Sequence, residues 1–278
     1  MANAAQQTAK KVENAKFNSN FAAWVIPTCI AVGILIYIFV LGNPSNFEGG
    51  VVGGHPIAEG AGHYLGLVYM GGYVVPILLS LVLINLTVAI ERLITISAAS
   101  GKGSAQAFVS KIRSLLGAGN VDAAIKECDI QKGSVANVVK STLVKYKEME
   151  NEAGLDVDQR ILAIQKEIEE STTLELPMLE KNLVITATLA SVSTLFALLG
   201  TVLGMIKAFS ALGNSGAPDS AALAVGISEA LINTALGIGN SALATVFYAY
   251  FTTRIDTITY AIDEAGYSII QTFAAKHK

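Results

Sequence analysis

Two long apolar segments, Leu183 to Ile206 and Ala230 to Thr253, constrain this chain more than anything else in it, because each runs for 24 residues without a formal charge. A helix of that length crosses a hydrocarbon core about 30 Å thick. Both are expected to be transmembrane helices. The rest of the composition agrees: 278 residues, 52% hydrophobic and 15% charged, with a mean hydropathy of +0.52, belong in a lipid bilayer rather than in water. A formal charge of −3 provides no basic surface to release counterions from phosphate, which excludes a nucleic-acid binder.

The small and polar residues of these segments fall on helical faces. Ala187, Ala190, Thr194, Ala197, Thr201, Gly204 and Ala208 recur at spacings of three and four, the period of a close helix contact. Gly226, Ala230, Asn233, Gly237, Asn240 and Ala244 repeat the device, with Glu229 one turn before Asn233. A short loop, roughly Ser210 to Ser220, makes the two spans antiparallel neighbours. Counted from the ends of that loop, Thr201 and Glu229 are expected at one depth. A charged acid there costs on the order of 3 kcal/mol, so it should face protein, water or a partner, or be held neutral. Two readings are open for Glu229: a step on an ion or proton path, or a buried polar knot that fixes helix register. Lys207, one turn from the loop, is expected to snorkel outward rather than pair with Glu229.

Ahead of these spans, residues 1–20 are polar and carry Lys10, Lys11 and Lys16, and Phe21 to Leu41 is an uncharged run of 21 residues. That run is long for a signal peptide and no A-x-A type site follows it, so it is expected to be a retained span with Pro27 in its early turns. Residues 42–63 hold seven glycines and two prolines and are expected to form a mobile loop. His55 and His63 lie there without the further ligands a tetrahedral metal site needs. Residues 64–90 form the next span, with a kink expected at Pro76 and a sharp end at Glu91-Arg92. Residues 91–182 show helical periodicity throughout: Ala105 to Leu116, a helix capped by Asn120, a helix after Ser134, and Asp156 to Glu175. The fold class expected is therefore all-α, a polytopic membrane protein of four transmembrane helices with a helical cytoplasmic domain. Its parts are 1–20, spans at 21–41, 64–90, 183–209 and 227–253, loops at 42–63 and 210–226, the domain 91–182 and a tail 254–278.

Lys and Arg number three in 1–20, none in 42–63, twelve in 91–182, none in 208–226 and three in 251–278. By the positive-inside rule both termini and the polar domain are expected to be cytoplasmic. No phosphate loop, Cys/His ligand set or Ser/His/Asp arrangement is present in the spacing. No enzyme activity, metal or cofactor is expected, Cys29 and Cys128 are expected to stay unpaired, and Glu169-Glu170 read as a solvated helix face.

Two motifs carry a resemblance. Leu198-Leu199-Gly200-Thr201-Val202-Leu203-Gly204-Met205-Ile206-Lys207-Ala208-Phe209 is similar to LLGTVxGMIxAF, and Gly226-Ile227-Ser228-Glu229-Ala230-Leu231-Ile232-Asn233-Thr234-Ala235-Leu236-Gly237 is similar to GIAEALxxTAxG. Both belong to the ExbB/TolQ/MotA proton-channel subunits of ion-driven bacterial inner-membrane motors, and with Glu91-Arg92 closing an earlier span the chain resembles that family over about residues 64 to 255. The Glu-Ala-Leu motif favours ExbB or TolQ over MotA, and the chain is read as closest to ExbB, with three family-like spans plus one at the N-terminus.

The resemblance implies a proton pathway through Thr201, Glu229 and Thr234, with Thr194, Asn233 and Asn240 as polar pore-lining groups. It implies a homo-oligomer, a pentameric ring, around an ExbD-like single-span partner with an intramembrane Asp, working on a TonB-like protein. One carboxyl cannot relay protons across about 30 Å of hydrocarbon, so a second group must come from another chain or a water file. The family often has Ala-Pro where this chain has Ser193-Thr194, and a proline where it has Leu243, so its kinks are expected to be missing.

A TolQ- or MotA-like motor subunit and a non-conducting membrane scaffold are the competing readings. A secondary transporter is disfavoured, because four spans show no inverted repeat. The topology is checked by cysteine labelling with an impermeant maleimide: Ser45→Cys should react in intact cells and Ser104→Cys only after permeabilisation. Labelling of Ser104→Cys from outside would end the four-span arrangement.

Overall fold

The computed structural model describes residues 21–152, 154–213 and 220–277. The N-terminal segment 1–20 and the centre of the 210–226 loop lie outside the described residues. Every regular element among the described residues is helical apart from one isolated bridge between Phe47 and Pro56. Four helical stretches are long and apolar enough to cross a membrane: Ala23–Leu41, Gly72–Ala99, Val157–Ala211 and Ser220–Lys276. The protein is an all-α polytopic membrane protein. It divides into two compact units, Met1–Ala89 with Ile185–Phe247, and Ile90–Val184 with Tyr248–Lys278.

In the first unit α1 (Phe21–Leu35) ends in a π-helical turn, Ile36–Leu41. The glycine-rich stretch that follows is folded rather than the mobile loop expected. The Asn46 carboxamide donates to the carbonyls of Val40 (2.7 Å) and Leu41 (3.0 Å), satisfying the last turn of the span, and Phe47 is buried. His63 is also used locally, its Nδ1 lying 2.7 Å from the Ile57 carbonyl.

The second span differs from expectation in three respects. The chain breaks at Met70-Gly71-Gly72, between α2 (Ala61–Tyr69) and α3 (Val75–Ala99), with Gly72 at φ +73°. Pro76 causes no kink, because it sits at the second position of α3, where the missing N–H has no helical acceptor to lose. Glu91-Arg92 does not end the helix, which runs on to Ala99.

The other two spans are α8 (Leu183–Gly213) and α9 (Ser220–Lys276), each without an internal proline or recorded break. The expected loop 210–226 is helical over 210–213 and 220–226, since alanine-rich sequence after Ser220 favours helix. Cys29, Ile84, Val88, Leu189 and Ala244 form one buried cluster, so α1, α3, α8 and α9 meet at a common centre.

On α9 the buried seam is the one expected, Gly226, Ala230, Asn233, Gly237, Asn240 and Ala244. On α8 it is Thr186, Leu189, Ser193, Ala197, Gly200, Gly204 and Ala208, while Ala187, Ala190, Thr194 and Thr201 lie half-buried beside it. The expected and observed α8 seams share Ala197, Gly204 and Ala208, while Gly200 against Asn233 and Ser193 against Asn240 take the places expected of Thr201 and Thr194.

The second unit contains α4 (Ala105–Gly117), α5 (Val121–Gln131), α6 (Gly133–Asn151) and α7 (Val157–Glu180), as the periodicity predicts. Asn120 caps α5 by accepting from the Ala123 N–H, and Asp156 with Gln159 forms a capping box on α7. The 254–278 tail is not an appendage. It is the end of α9, burying Ile255, Ile258, Ile262, Ala265, Ile269 and Phe273, and Phe273 meets Tyr146 edge-on at 4.9 Å between centroids. Arg92 explains why the charge pair leaves α3 intact: buried, it pairs with Glu91 and donates to the Leu179 carbonyl at 3.2 Å, near the end of α7. Burial pushes the Cys128 thiol up to about 12, so Cys128 is an inert core residue.

A methyl group at Gly204 would lie 2.7 Å from the Ala230 backbone nitrogen and 2.8 Å from the Gly226 carbonyl oxygen. Gly204→Leu should therefore separate α8 from α9 and abolish recovery of folded protein in detergent, whereas exposed Leu203→Ile should recover like the parent. Equal recovery on size-exclusion chromatography would refute the close contact.

Candidate functional site: an ionised pair between two spans

The site lies where α8 and α9 approach most closely. Gly226 packs on Ala208, Gly204 on Ala230, Gly200 on Asn233 and Gly237 on Ala197. With so little side chain between the backbones, polar groups on the seam are sealed inside the first unit.

Glu229 is 8% exposed. Its Oε2 accepts from Lys207 Nζ at 2.7 Å. This corrects the expectation that Lys207 snorkels outward. The contacts at Ala208 and Gly226 bring the helices near enough for the lysine stem to reach, and a carboxylate withdrawn from solvent needs a partner. Oε1 lies against Gly72, where an added Cβ would collide with it. Tyr37, stacked on Tyr69 with centroids 4.7 Å apart, is within electrostatic range of Glu229.

Thr201 and Thr234 face each other, with hydroxyl oxygens 2.5 Å apart. Each hydroxyl also lies within reach of its own helix, Thr201 of the Ala197 carbonyl (3.0 Å) and Thr234 of the Ala230 carbonyl (2.9 Å). Each has one proton, so when one donates across the gap the other donates to backbone, and the pair has two interchangeable arrangements. The expected common depth of Thr201 and Glu229 does not hold. Helix α8 runs to Gly213, three residues past Ser210, and the antiparallel register shifts with it. Thr201 meets Thr234, and Glu229, five residues earlier on α9, sits about 7 Å away along the axis at the level of Lys207.

The other sequence-predicted polar groups act within the packing. Asn233 is fully buried and donates to the Gly71 carbonyl at 2.8 Å. Asn240 accepts from Asn85 (3.0 Å) and donates to Ser193 Oγ (2.8 Å), tying α3, α9 and α8 together. Thr194 is half-buried and donates to the Ala190 carbonyl at 3.3 Å. Thr201 borders an open groove lined by Val202, Met205, Ile206, Phe209 and Ser210. The part of the site that sequence reasoning missed is Gly71-Gly72, whose adjacent glycines were the available signal. Among the described residues no group of three or more His, Cys, Asp or Glu could hold a metal ion.

Fold and site together define a polytopic helical membrane protein with an ion pair between two of its spans. Residues 135–264, which contain Lys207, Glu229 and both threonines, match the MotA/TolQ/ExbB proton channel family. The chain is 39% identical over 84 residues to an ExbB-like biopolymer transport protein of Synechocystis sp., covering 30% of this chain and 40% of that protein. It is 27% identical over 124 residues to the Tol-Pal system protein TolQ of Pseudomonas aeruginosa, covering 45% and 54%. It is 34% identical over 93 residues to an ExbB homologue of Methanothermobacter thermautotrophicus, covering 34% and 33%. The chain thus spans about a third to a half of the length of these relatives.

Gly72 and Gly49 both adopt left-handed backbone, at φ +73° and +68°, but Gly49 has open space around the position of a Cβ. Alanine at either carries a backbone strain of about 1 to 2 kcal/mol. Gly72→Ala should lower the melting temperature in detergent more than Gly49→Ala, since only Gly72→Ala must also displace the Glu229 carboxylate. Equal shifts would show that the contact is loose.

Proposed function

We propose that this protein is an ExbB-like proton-channel subunit of a bacterial inner membrane, with both termini and residues 91–182 cytoplasmic. Together with an ExbD-like single-span partner bearing an intramembrane Asp, it converts proton motive force into mechanical work delivered through a TonB-like protein to outer-membrane transport. The observation that carries this reading is a buried carboxylate, Glu229, held between two spans that match a proton-channel family, five residues along α9 from a pair of reorientable hydroxyls. A charge in that position is unfavourable by on the order of 3 kcal/mol and is retained in membrane proteins chiefly where ions or protons pass.

In this reading Glu229 accepts and releases the proton. Thr201 and Thr234 orient or pass one beside it, since their shared proton can point either way. Asn233 and Asn240 hold the helices in register rather than facing a pore. The groove beside Thr201 is the surface from which a partner helix would reach the hydroxyls. The working form is a homo-oligomer, a pentamer around the partner, and the protein is not an enzyme. Proton entry is driven by about 2.3 kcal/mol per charge per 100 mV.

The similarity to TolQ of Pseudomonas aeruginosa and of Haemophilus influenzae favours a second reading, in which the same site drives a Tol-Pal type system. Deletion of the gene separates the two: loss of energy-dependent uptake supports the first, and loss of envelope integrity with uptake intact supports the second.

The central test is substitution of the acid. Glu229→Gln keeps size and hydrogen bonding but cannot ionise, and Glu229→Ala removes both. Both variants should assemble with the partner and lose proton-driven activity. An active Glu229→Gln complex would overturn the proton role, and a Glu229→Ala variant that fails to assemble beside an active Glu229→Gln would identify the acid as a structural knot.

A further inference from the structure

If Glu229 carries protons, as proposed above, its carboxylate must at some stage be open to them, and here neither oxygen is. Oε2 is taken by the Lys207 ammonium at 2.7 Å, and Oε1 lies against the Gly72 backbone. The two covers differ in kind. Gly72 belongs to a turn tied down by Asn233 through the Gly71 carbonyl. Lys207 reaches Glu229 with its head and has a side chain 60% exposed against 10% for that of Glu229.

A lysine side chain is a compact charge on a flexible four-carbon stem. It can rotate away from Glu229 without disturbing the contact of Ala208 with Gly226 beneath it. Its ammonium has three donors, of which Glu229 takes one, so an anionic group at that face can engage the others and draw it off.

We propose that Lys207 is a latch on the proton path: its ammonium closes Glu229 to protons in the idle protein and must swing outward before Glu229 can accept one. Lys207 acts as a positioning residue, because it holds the group that takes the proton and takes none itself. Among the described residues Lys207 on α8 is the ion partner of Glu229, and Tyr37 on the N-terminal span lies within electrostatic range of it.

The test is passive proton flux through the full-length protein reconstituted together with the single-span partner of the proposed complex in vesicles of phosphatidylethanolamine and phosphatidylglycerol, read with an entrapped pH dye under a potassium diffusion potential. The parent should leak little. Lys207→Met should raise flux about fivefold or more, the factor expected for losing one partly exposed ion pair. Lys207→Gln, which keeps a hydrogen-bonding head without charge, should do the same and covers the case in which Lys207→Met fails to fold. Lys207→Arg keeps the charge and should stay near the parent. Adding Glu229→Gln to Lys207→Met should return flux to baseline. Parent-like flux in folded Lys207→Met or Lys207→Gln would overturn the latch, as would a leak that persists after Glu229→Gln is added. These failures are distinct from failure of the proton role itself, which shows only as an active Glu229→Gln complex.

Discussion

The approach of α8 to α9 is the contact on which the rest of the first unit depends. In lipid, apolar side chains gain little by leaving the hydrocarbon for another helix, so association rests on dispersion, interhelical hydrogen bonds and backbone proximity. Four glycines, Gly200, Gly204, Gly226 and Gly237, supply the proximity, each set against a residue of the opposite helix where a Cβ would clash. Once the backbones are this close, Asn233 and Asn240 are enclosed. Their hydrogen bonds to Gly71, Asn85 and Ser193 follow from having no water to turn to.

Buried charge is handled in two different ways. Arg92, in the second unit, is paired with its chain neighbour Glu91 and donates to a helix-end carbonyl at Leu179, while Asn182 donates to Glu91 from 3.3 Å. Glu91 is engaged on several sides and Arg92 is sealed, which suits a fixed node. Glu229 has a single flexible counter-ion whose side chain is mostly outside the helix pair. A network held from several sides resists rearrangement, whereas a carboxylate held by one exposed side chain can change partners. That asymmetry, more than burial alone, sets Glu229 apart from the Glu91 and Arg92 node.

Much of this was legible in the sequence, for physical reasons that also explain the misses. Uncharged runs of helical length marked the spans, and Asn120 and Asp156 marked helix starts, because these signals are local. The α9 seam was readable from small and polar residues spaced by three and four, whereas on α8 the same spacing picks Thr194 and Thr201, which lie half-buried beside the buried Ser193 and Gly200. Pro76 was taken for a kink because a proline's effect depends on where the helix begins, and Gly71-Gly72 set that beginning. The Lys207 to Glu229 pair depended on register across the 210–226 loop. Glu229 stands at the level of Lys207, six residues further along α8 than Thr201, and the extension of α8 to Gly213 accounts for only part of that shift.

The covering of the acid draws on two parts of the chain. Lys207 and Glu229 lie within residues 135–264, the segment that matches the proton channel family, while Gly71, Gly72 and Tyr37 lie outside it. Gly72 covers Oε1 with backbone, and that cover lifts only when the turn leaves the hydrogen bond that Asn233 donates to the Gly71 carbonyl. Lys207 covers Oε2 with side chain alone, so no backbone has to move. One carboxylate is therefore closed by two devices that can act independently, a turn tied through Asn233 and a tethered ammonium. A group that must face protons at one stage and be shut off from them at another needs such separability, because a single rigid cover would open or close both oxygens together.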